Sequence, residues 1–425
     1  MQHRTDTRVL ALFTLICPAM MGVAPSAGAE CTLAVGVVME LTGTAGEYGQ
    51  AAAKSVEMAL RDLNEAGGVR GCRLVPDIKD SQGQATVAVD AANQLVQLGK
   101  VPVIIGSIAS STTIPILTSV TGPSKILQIS PAASSPKLTA LARDPKANGM
   151  FFRTVTSDAL QGGVAAKYAI DRGMHRLSVI YVNNDFGVGL FGEFARAFKA
   201  LGGTIVSATP YQERQANYAS EVTAALESEA EGLYLISTPV EGAVIARAWI
   251  SQGGPRRFLL NDGMNSAAFI AAVGAKYLND AYGTSSGTTP TPSTRYFYDR
   301  YRAFAQLDPA SPAADRAYDA GAVIGLAMAA ASSMQSSELR AAIYKVTDPK
   351  GTAIYAGREE FARGLGLLHE GKTIRYEGVI GPVAFDSFGD ISGPFRLWRI
   401  SGGIVTTLGE MSVDEVGSLK ARIGG

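Results

Sequence analysis

The residues best placed to do chemistry in this chain are hydroxyls gathered on glycine-rich loops. Three stretches carry them: Thr42-Gly43-Thr44-Ala45-Gly46-Glu47-Tyr48-Gly49, Gly106-Ser107-Ile108-Ala109-Ser110-Ser111-Thr112 and Ser130-Pro131-Ala132-Ala133-Ser134-Ser135-Pro136. All three precede helical patterns. The first turn of a helix has N–H groups without intrahelical acceptors and a partial positive charge, and a Ser or Thr there adds a hydroxyl. Such loops suit a carboxylate. Taken singly, Ser110, Thr112 and Ser134 can equally cap their own helices. Three such loops at one edge of one predicted sheet favour a site.

Other spacings point to chemistry and then fail on context. Gly187-Val188-Gly189-Leu190-Phe191-Gly192 has the G-x-G-x-x-G spacing of a dinucleotide loop. Residues 183–186 separate it from the preceding strand, and no strand-end acid follows at about 20 residues. Gly283-Thr284-Ser285-Ser286-Gly287 has the spacing of a hydrolase elbow, but Pro290 and Pro292 deny it the helix that should open behind the serine. The histidines, His3, His175 and His369, are scattered, and no Cys/His spacing suits a metal. The reading is therefore a binder with no cofactor and no metal. An exported α/β hydrolase is the enzymatic alternative.

The elements that must position these loops alternate. From residue 32 short β-branched runs take turns with longer helical patterns, the mark of parallel α/β architecture. Residues 50–66 form the first helix, with Ala52, Val56, Ala59, Leu60 and Leu63 on one face and Gly67-Gly68 ending it. Strands at 73–78, 101–105 and 125–129 complete a first series with helices between them. A second series follows Phe151-Phe152-Arg153-Thr154, with strands at 177–182, 204–208, 232–236 and 258–260. Residues 283–292 read as a linker, a long helix spans 314–332, and strands return at 383–385, 395–400 and 404–408. In open α/β sheets ligands bind beyond the carboxyl ends of the strands, where the three hydroxyl loops lie.

The N-terminus sets the compartment. Arg4 and Arg8 precede the apolar run 9–16 and the small-residue stretch Pro25-Ser26-Ala27-Gly28-Ala29, a secretory signal peptide (1–29) cleaved near Ala29. Its apolar run is too short for a stable membrane span. Cys17 leaves with it, and Cys31 and Cys72 remain in an oxidising compartment. Each precedes a strand-like run. If those runs are the first two parallel strands, their starts lie about 4.8 Å apart, within disulfide reach. The alternative is two free thiols. With 38 basic and 38 acidic residues, no global field attracts nucleic acid. About 395 residues after processing exceed one compact core, so two domains are expected.

Several stretches together carry a family resemblance. They are Leu41-Thr42-Gly43 with Tyr48-Gly49, Ser110-Ser111-Thr112-Thr113 with Pro115, Ile129-Ser130-Pro131-Ala132-Ala133-Ser134, Phe152-Arg153-Thr154, Asn184-Asp185-Phe186-Gly187 and Ala317-Tyr318-Asp319-Ala320. In these the chain resembles the leucine/isoleucine/valine-binding family of type I periplasmic binding proteins over nearly its whole mature length. The resemblance implies two Rossmann-like α/β lobes with parallel-rich sheets joined by a three-segment hinge. Lobe 1 is expected at 30–155 and 287–377, lobe 2 at 156–286 and 378–425.

It also implies roles. Ser110, Ser111, Ala132 and Ser134 would hold a ligand carboxylate, and Tyr48 would cover it from the first lobe. Phe186 and Asp262 would come from the second lobe, Asp262 meeting the α-ammonium of an amino acid, with Tyr318 as a further wall. Two departures stand out: Phe186 lacks the hydroxyl of a Tyr, and Asp262 is shorter than the Glu common there. On their own residues, Tyr48, Phe186 and Tyr318 can instead pack in the core, and Asp262 can cap the helix near Ala267 or sit in the Asn261-Asp262-Gly263 turn. The expected partners are a small amino acid or related carboxylate and a membrane permease of the ABC type, in the periplasm. A ligand sensor of the same fold is the alternative.

Overall fold

The computed structural model describes residues 1–3, 31–144, 149–227 and 229–424. The expected leader and its cleavage site, apart from residues 1–3, lie outside the described residues. Strands β1 (Thr32–Met39), β2 (Arg73–Asp80), β3 (Val103–Gly106), β4 (Leu127–Ser130) and β5 (Phe151–Arg153) form one parallel sheet in the order β2-β1-β3-β4-β5. The connections are α1 (Gly46–Glu65), α2 (Ala85–Gln97), α3 (Ser110–Ile116) and α4 (Pro136–Arg143). All five apolar positions foreseen on one face of α1 are buried. The helix starts at Gly46, a turn earlier than expected, so Tyr48 projects from its first turn and not from a loop.

The second sheet repeats the plan. Helices α5 (Asp158–Asp171), α6 (Asp185–Ala200), α7 (Ala219–Leu226), α8 (Pro239–Ser251) and α9 (Ala267–Val273) alternate with β6 (Arg176–Val182), β7 (Thr204–Tyr211), β8 (Gly232–Ile236), β9 (Phe258–Leu260) and β10 (Ala281–Ser286). The chain then returns to the first core through α10 (Pro292–Ala305), α11 (Ala314–Ala330), α12 (Ser336–Val346) and α13 (Arg358–His369). A small sheet of β11 (Thr352–Ile354), β12 (Ile374–Gly378) and β13 (Gly381–Pro382) stands among them. Finally β14 (Phe395–Ser401) and β15 (Ile404–Met411) extend the second sheet to β15-β14-β10-β9-β8-β6-β7, and α14 (Val413–Arg422) packs against α5. Two lobes result, each with strand order reversing beside its first strand, the place where an open sheet leaves a crevice.

Small residues let α11 lie close to α1. A Cβ on Gly321 would stand 3.0 Å from that of Ala59, so any larger residue there would push the two helices apart by a few tenths of an ångström. The disulfide Cys31–Cys72 joins the starts of β1 and β2, with Cα atoms 4.6 Å apart, as their parallel register foreshadows.

Two expectations are corrected. The Gly/Ser/Thr stretch 283–292 is not a linker throughout: its first residues complete β10, paired with β9 on one side and β14 on the other. Backbone pairing on both edges outweighs weak strand preference, and Trp398 packs across the space a side chain at Gly283 would take. The strand expected at 383–385 is reduced to an isolated bridge between Phe385 and Ile391. Beyond the passage expected at 377–378, Val379, Ile380, Val383 and Ile391 are buried in the first core.

The three passages lie side by side. Thr156 bridges Ile391, the Thr156 and Ser286 hydroxyls hydrogen-bond, and Gly287 N donates to Pro394 O at 2.7 Å. A hinge of three laced segments permits rotation of the lobes with little shear.

Candidate functional site

A cavity of about 400 Å³ lies between the lobes at the carboxyl ends of both sheets. On the first lobe it is organised around Glu40, the residue after β1. This buried carboxylate accepts from Ser107 Oγ (2.7 Å), Thr112 Oγ1 (2.6 Å), Ile108 N (2.9 Å) and Ala109 N (3.2 Å). Four donors fix the serine loop in one shape, and the charge they stabilise is spent within the loop.

That arrangement decides what the serines do. Helix α3 has no side-chain cap. Ser110 Oγ instead accepts from Ser135 N at 3.2 Å, tying the two loops together and keeping its own proton to donate. Ser134 does not cap α4; Ser135 does, accepting from Lys137 N at 3.3 Å. The Ser134 hydroxyl donates to Asp158 Oδ2 at 2.8 Å. Ser110, Ser111, Ala132 and Ser134 all line the cavity beside the uncapped helix start.

The opposite wall comes from the second lobe. Asn184 caps α6 through Phe186 N (3.1 Å) and Gly187 N (3.0 Å), which sets the Phe186 ring half-buried against the cavity. Asp262 opens a short turn after β9, held by Asn261, whose Oδ1 accepts from Ser237 N at 2.9 Å. It lines the cavity and does not cap α9, a task that falls to Ser266. Burial raises the Asp262 carboxyl, opposed by hydrogen bonds from Asn261, Gly263 and Gln161 and by the charge of Arg316. Asp158 beneath it is pushed well above the usual carboxylate range, by burial first and then by the charge of Asp262. A cation arriving at Asp262 would relieve both effects.

Tyr48 crosses the cleft, its hydroxyl donating to Gly263 O at 2.6 Å. Arg214 Nη2 donates to Gln82 O (2.8 Å), Ser135 Oγ to Asp185 O (2.9 Å), and Lys137 Nζ pairs with Asp185 Oδ1 (2.9 Å). The lobes are closed on one another. The geometry is that of an enclosed cleft with hydroxyl and N–H donors at one wall and a carboxylate at the other.

The sequence model of the periplasmic binding protein family matches residues 32–365. The chain belongs to that family. This periplasmic binding protein is 26% identical over 393 residues to Leu/Ile/Val-binding protein homolog 3 of Brucella melitensis biotype 1, covering 92% of this chain and 96% of the relative. Its fold matches the leucine binding protein LivK of Thermotoga maritima with a TM-score of 0.76 at 20% identity, over 90% of this chain and 99% of that one. It also matches the branched-chain amino acid transporter substrate binding protein LivJ of Streptococcus pneumoniae, solved in complex with isoleucine, with a TM-score of 0.73 at 20% identity, over 90% and 99% of the two chains.

The periplasmic binding protein brings seven of the eight expected ligand-site positions to its cleft. Tyr318 is the exception. It is fully buried on α11, donating to Asp62 Oδ2 at 2.7 Å and meeting the Phe297 ring at a centroid distance of 5.6 Å. Arg316, two residues earlier and so about 200° round the helix, faces the cavity in its place. Its Nη1 pairs with Asp315 at 2.8 and 2.9 Å and its Nη2 donates to Gly287 O at 3.0 Å.

Sequence reasoning also missed Glu40, Asn184 and Arg396. A charged residue ending the apolar strand Val35-Gly36-Val37-Val38-Met39 was the available signal for Glu40. The G-x-G-x-x-G spacing lies inside α6, with Gly189 meeting Pro136 of the other lobe, so it forms no phosphate loop. The G-x-S-x-G spacing lies in β10 and its end, not at a strand-to-helix elbow. His175 and His369 are exposed.

Proposed function

We propose that this protein is the periplasmic receptor of an ABC-type importer for a small carboxylate, in the first instance an α-amino acid of the branched-chain type or a relative. The observation that carries the reading is the opposition of Ser110, at the uncapped start of α3, to Asp262 across one enclosed cavity. A zwitterion matches that pair of walls: its carboxylate meets hydroxyl and N–H donors, and its ammonium meets a carboxylate that burial leaves short of counter-charge. Lobe 1 is 31–155 with 287–391, and lobe 2 is 156–286 with 392–425. Leader cleavage near Ala29 delivers the mature chain to the periplasm. Ligand touching both lobes stabilises the closed form, which the permease recognises.

The test is thermal-shift screening with amino acids, their amides and simple carboxylates, followed by calorimetry. Ligand binding raises the melting temperature by mass action. Ser110→Ala is expected to weaken every carboxylate by about 10-fold, and Asp262→Asn to weaken amino acids by about 10- to 100-fold while sparing acids without an ammonium. If no carboxylate shifts the melting point, or neither substitution changes affinity, the reading is wrong.

A further inference from the structure

The cavity does not stop at Asp262. It continues past Ser285 and Ser286 toward the hinge, where Tyr298 and the 309–313 loop of the first lobe face Arg396, Val405 and Thr407 of the second. Arg396 stands on β14 directly opposite Ser285 of β10 in an antiparallel pair. Opposite residues of such a pair project to the same face, so the guanidinium and the Ser285 hydroxyl share this end of the cavity.

Among the described residues two cations line the cavity, Arg316 and Arg396, and of these only Arg396 lacks an acceptor. Glu40 is satisfied by its four donors. Arg316 is neutralised by Asp315 and Gly287 O. Asp262 awaits a cation under the reading above. Arg396 is half-buried, and its side chain makes no hydrogen bond or ion pair among the described residues. Glu410, its neighbour across β15, is exposed and forms no ion pair with it. A guanidinium withdrawn from water without an acceptor is costly, and a fork of N–H donors matches a planar or tetrahedral anion.

Resting on the carboxylate reading, we infer that the hinge end of the cleft receives a second, anionic group of the ligand, bound by Arg396. The ligand class is an α-amino acid or simple carboxylate with a distal carboxylate, sulfonate or phosphate. A purely aliphatic side chain would leave Arg396 unpaired in the closed cleft. A cavity of about 400 Å³ is within the range that drug-sized ligands occupy, so it has room for the longer molecule.

The experiment compares matched ligands by calorimetry at low ionic strength: glutamate against glutamine, and 2-aminoadipate against norleucine. The wild-type protein is expected to bind at least one acid about 10-fold more tightly than its uncharged counterpart. Arg396→Gln should collapse that ratio toward one, and Arg396→Lys should retain part of it. Circular dichroism and melting temperature verify that both variants fold. Sulfate alone serves as the probe for an isolated anion site. The inference is overturned if the uncharged partners bind as tightly as the acids, if the preference survives Arg396→Gln, or if sulfate binds while neither acid does. Failure of all carboxylates to bind would instead remove the underlying reading, and this inference with it.

Discussion

The Tyr48 hydroxyl donates to the carbonyl oxygen of Gly263, 2.6 Å away on the other lobe and beside Asp262. A first-lobe helix start and a second-lobe strand end are thereby joined over the cavity, so this bond exists only when the cleft is shut. Tyr48→Phe keeps the ring and removes the bond. A neutral hydrogen bond is worth about 0.5–1.5 kcal/mol net, so ligand affinity should fall by about 2- to 12-fold. The unliganded melting temperature should change little. Unchanged affinity by calorimetry would show that the bond plays no part in closure.

Glu40 makes a sharper prediction. Glu40→Gln sets an amide NH2 donor in place of one of the two oxygens that now accept from Ser107, Ile108, Ala109 and Thr112. At least one buried donor loses its acceptor, at a cost of about 1–3 kcal/mol. Denaturant titration should register that loss, and carboxylate affinity should drop with it because Ser110 and Ser111 follow directly in the chain. A variant of wild-type stability would show that the loop holds its shape without this charge.

The Cys31–Cys72 disulfide closes a sequence separation of 41 residues at the start of the first sheet, far from the carboxyl ends that line the cleft. Replacing both cysteines by serine should cost about 2–5 kcal/mol of stability and leave the dissociation constant of the ligand nearly unchanged. Urea unfolding with and without reductant, beside calorimetry, checks both halves.

Asp319 gives the first lobe a pH dependence. Burial pushes its carboxyl up to about 7, against hydrogen bonds from Ile380 N (2.9 Å), Val379 N (2.8 Å) and Tyr376 Oη (2.9 Å). In the unfolded chain an Asp titrates near ~3.9. Between about pH 4 and 7 the folded protein keeps a proton that the unfolded chain releases, so the group's contribution is full below about 4 and is lost as pH rises through about 7. The difference in unfolding free energy between wild type and Asp319→Asn should therefore fall across that window by up to about 1.4 kcal/mol per pH unit. Urea titrations at a series of pH values measure it, and a flat difference would refute the assignment.

The sequence by itself determined the βα alternation, the placing of Cys31 and Cys72 within disulfide reach and the hydroxyl loops at the strand ends, because these depend on local pattern. Periodicity identifies a strand or a helix face, and parallel neighbours have a fixed spacing whatever surrounds them. Ser110 and Ser134 were legible as residues of interest, yet their roles were not. Whether a serine caps its helix, ties two loops or orients a carboxylate depends on Ser135 and Asp158, the latter 24 residues from Ser134.

Only the tertiary structure decided the rest. Tyr318 and Arg316 stand two positions apart on one helix, and packing of α11 against α1 sent the tyrosine to the core and the arginine to the cleft. Glu40 became the centre of the serine loop through partners 67 to 72 residues away. Arg396 reaches the cavity because β14 enters the second sheet antiparallel beside β10, a pairing between segments more than 100 residues apart. Contacts made at such separations leave no periodic trace in either segment, so the fold is written locally, whereas the charge balance of the site is written in its closure.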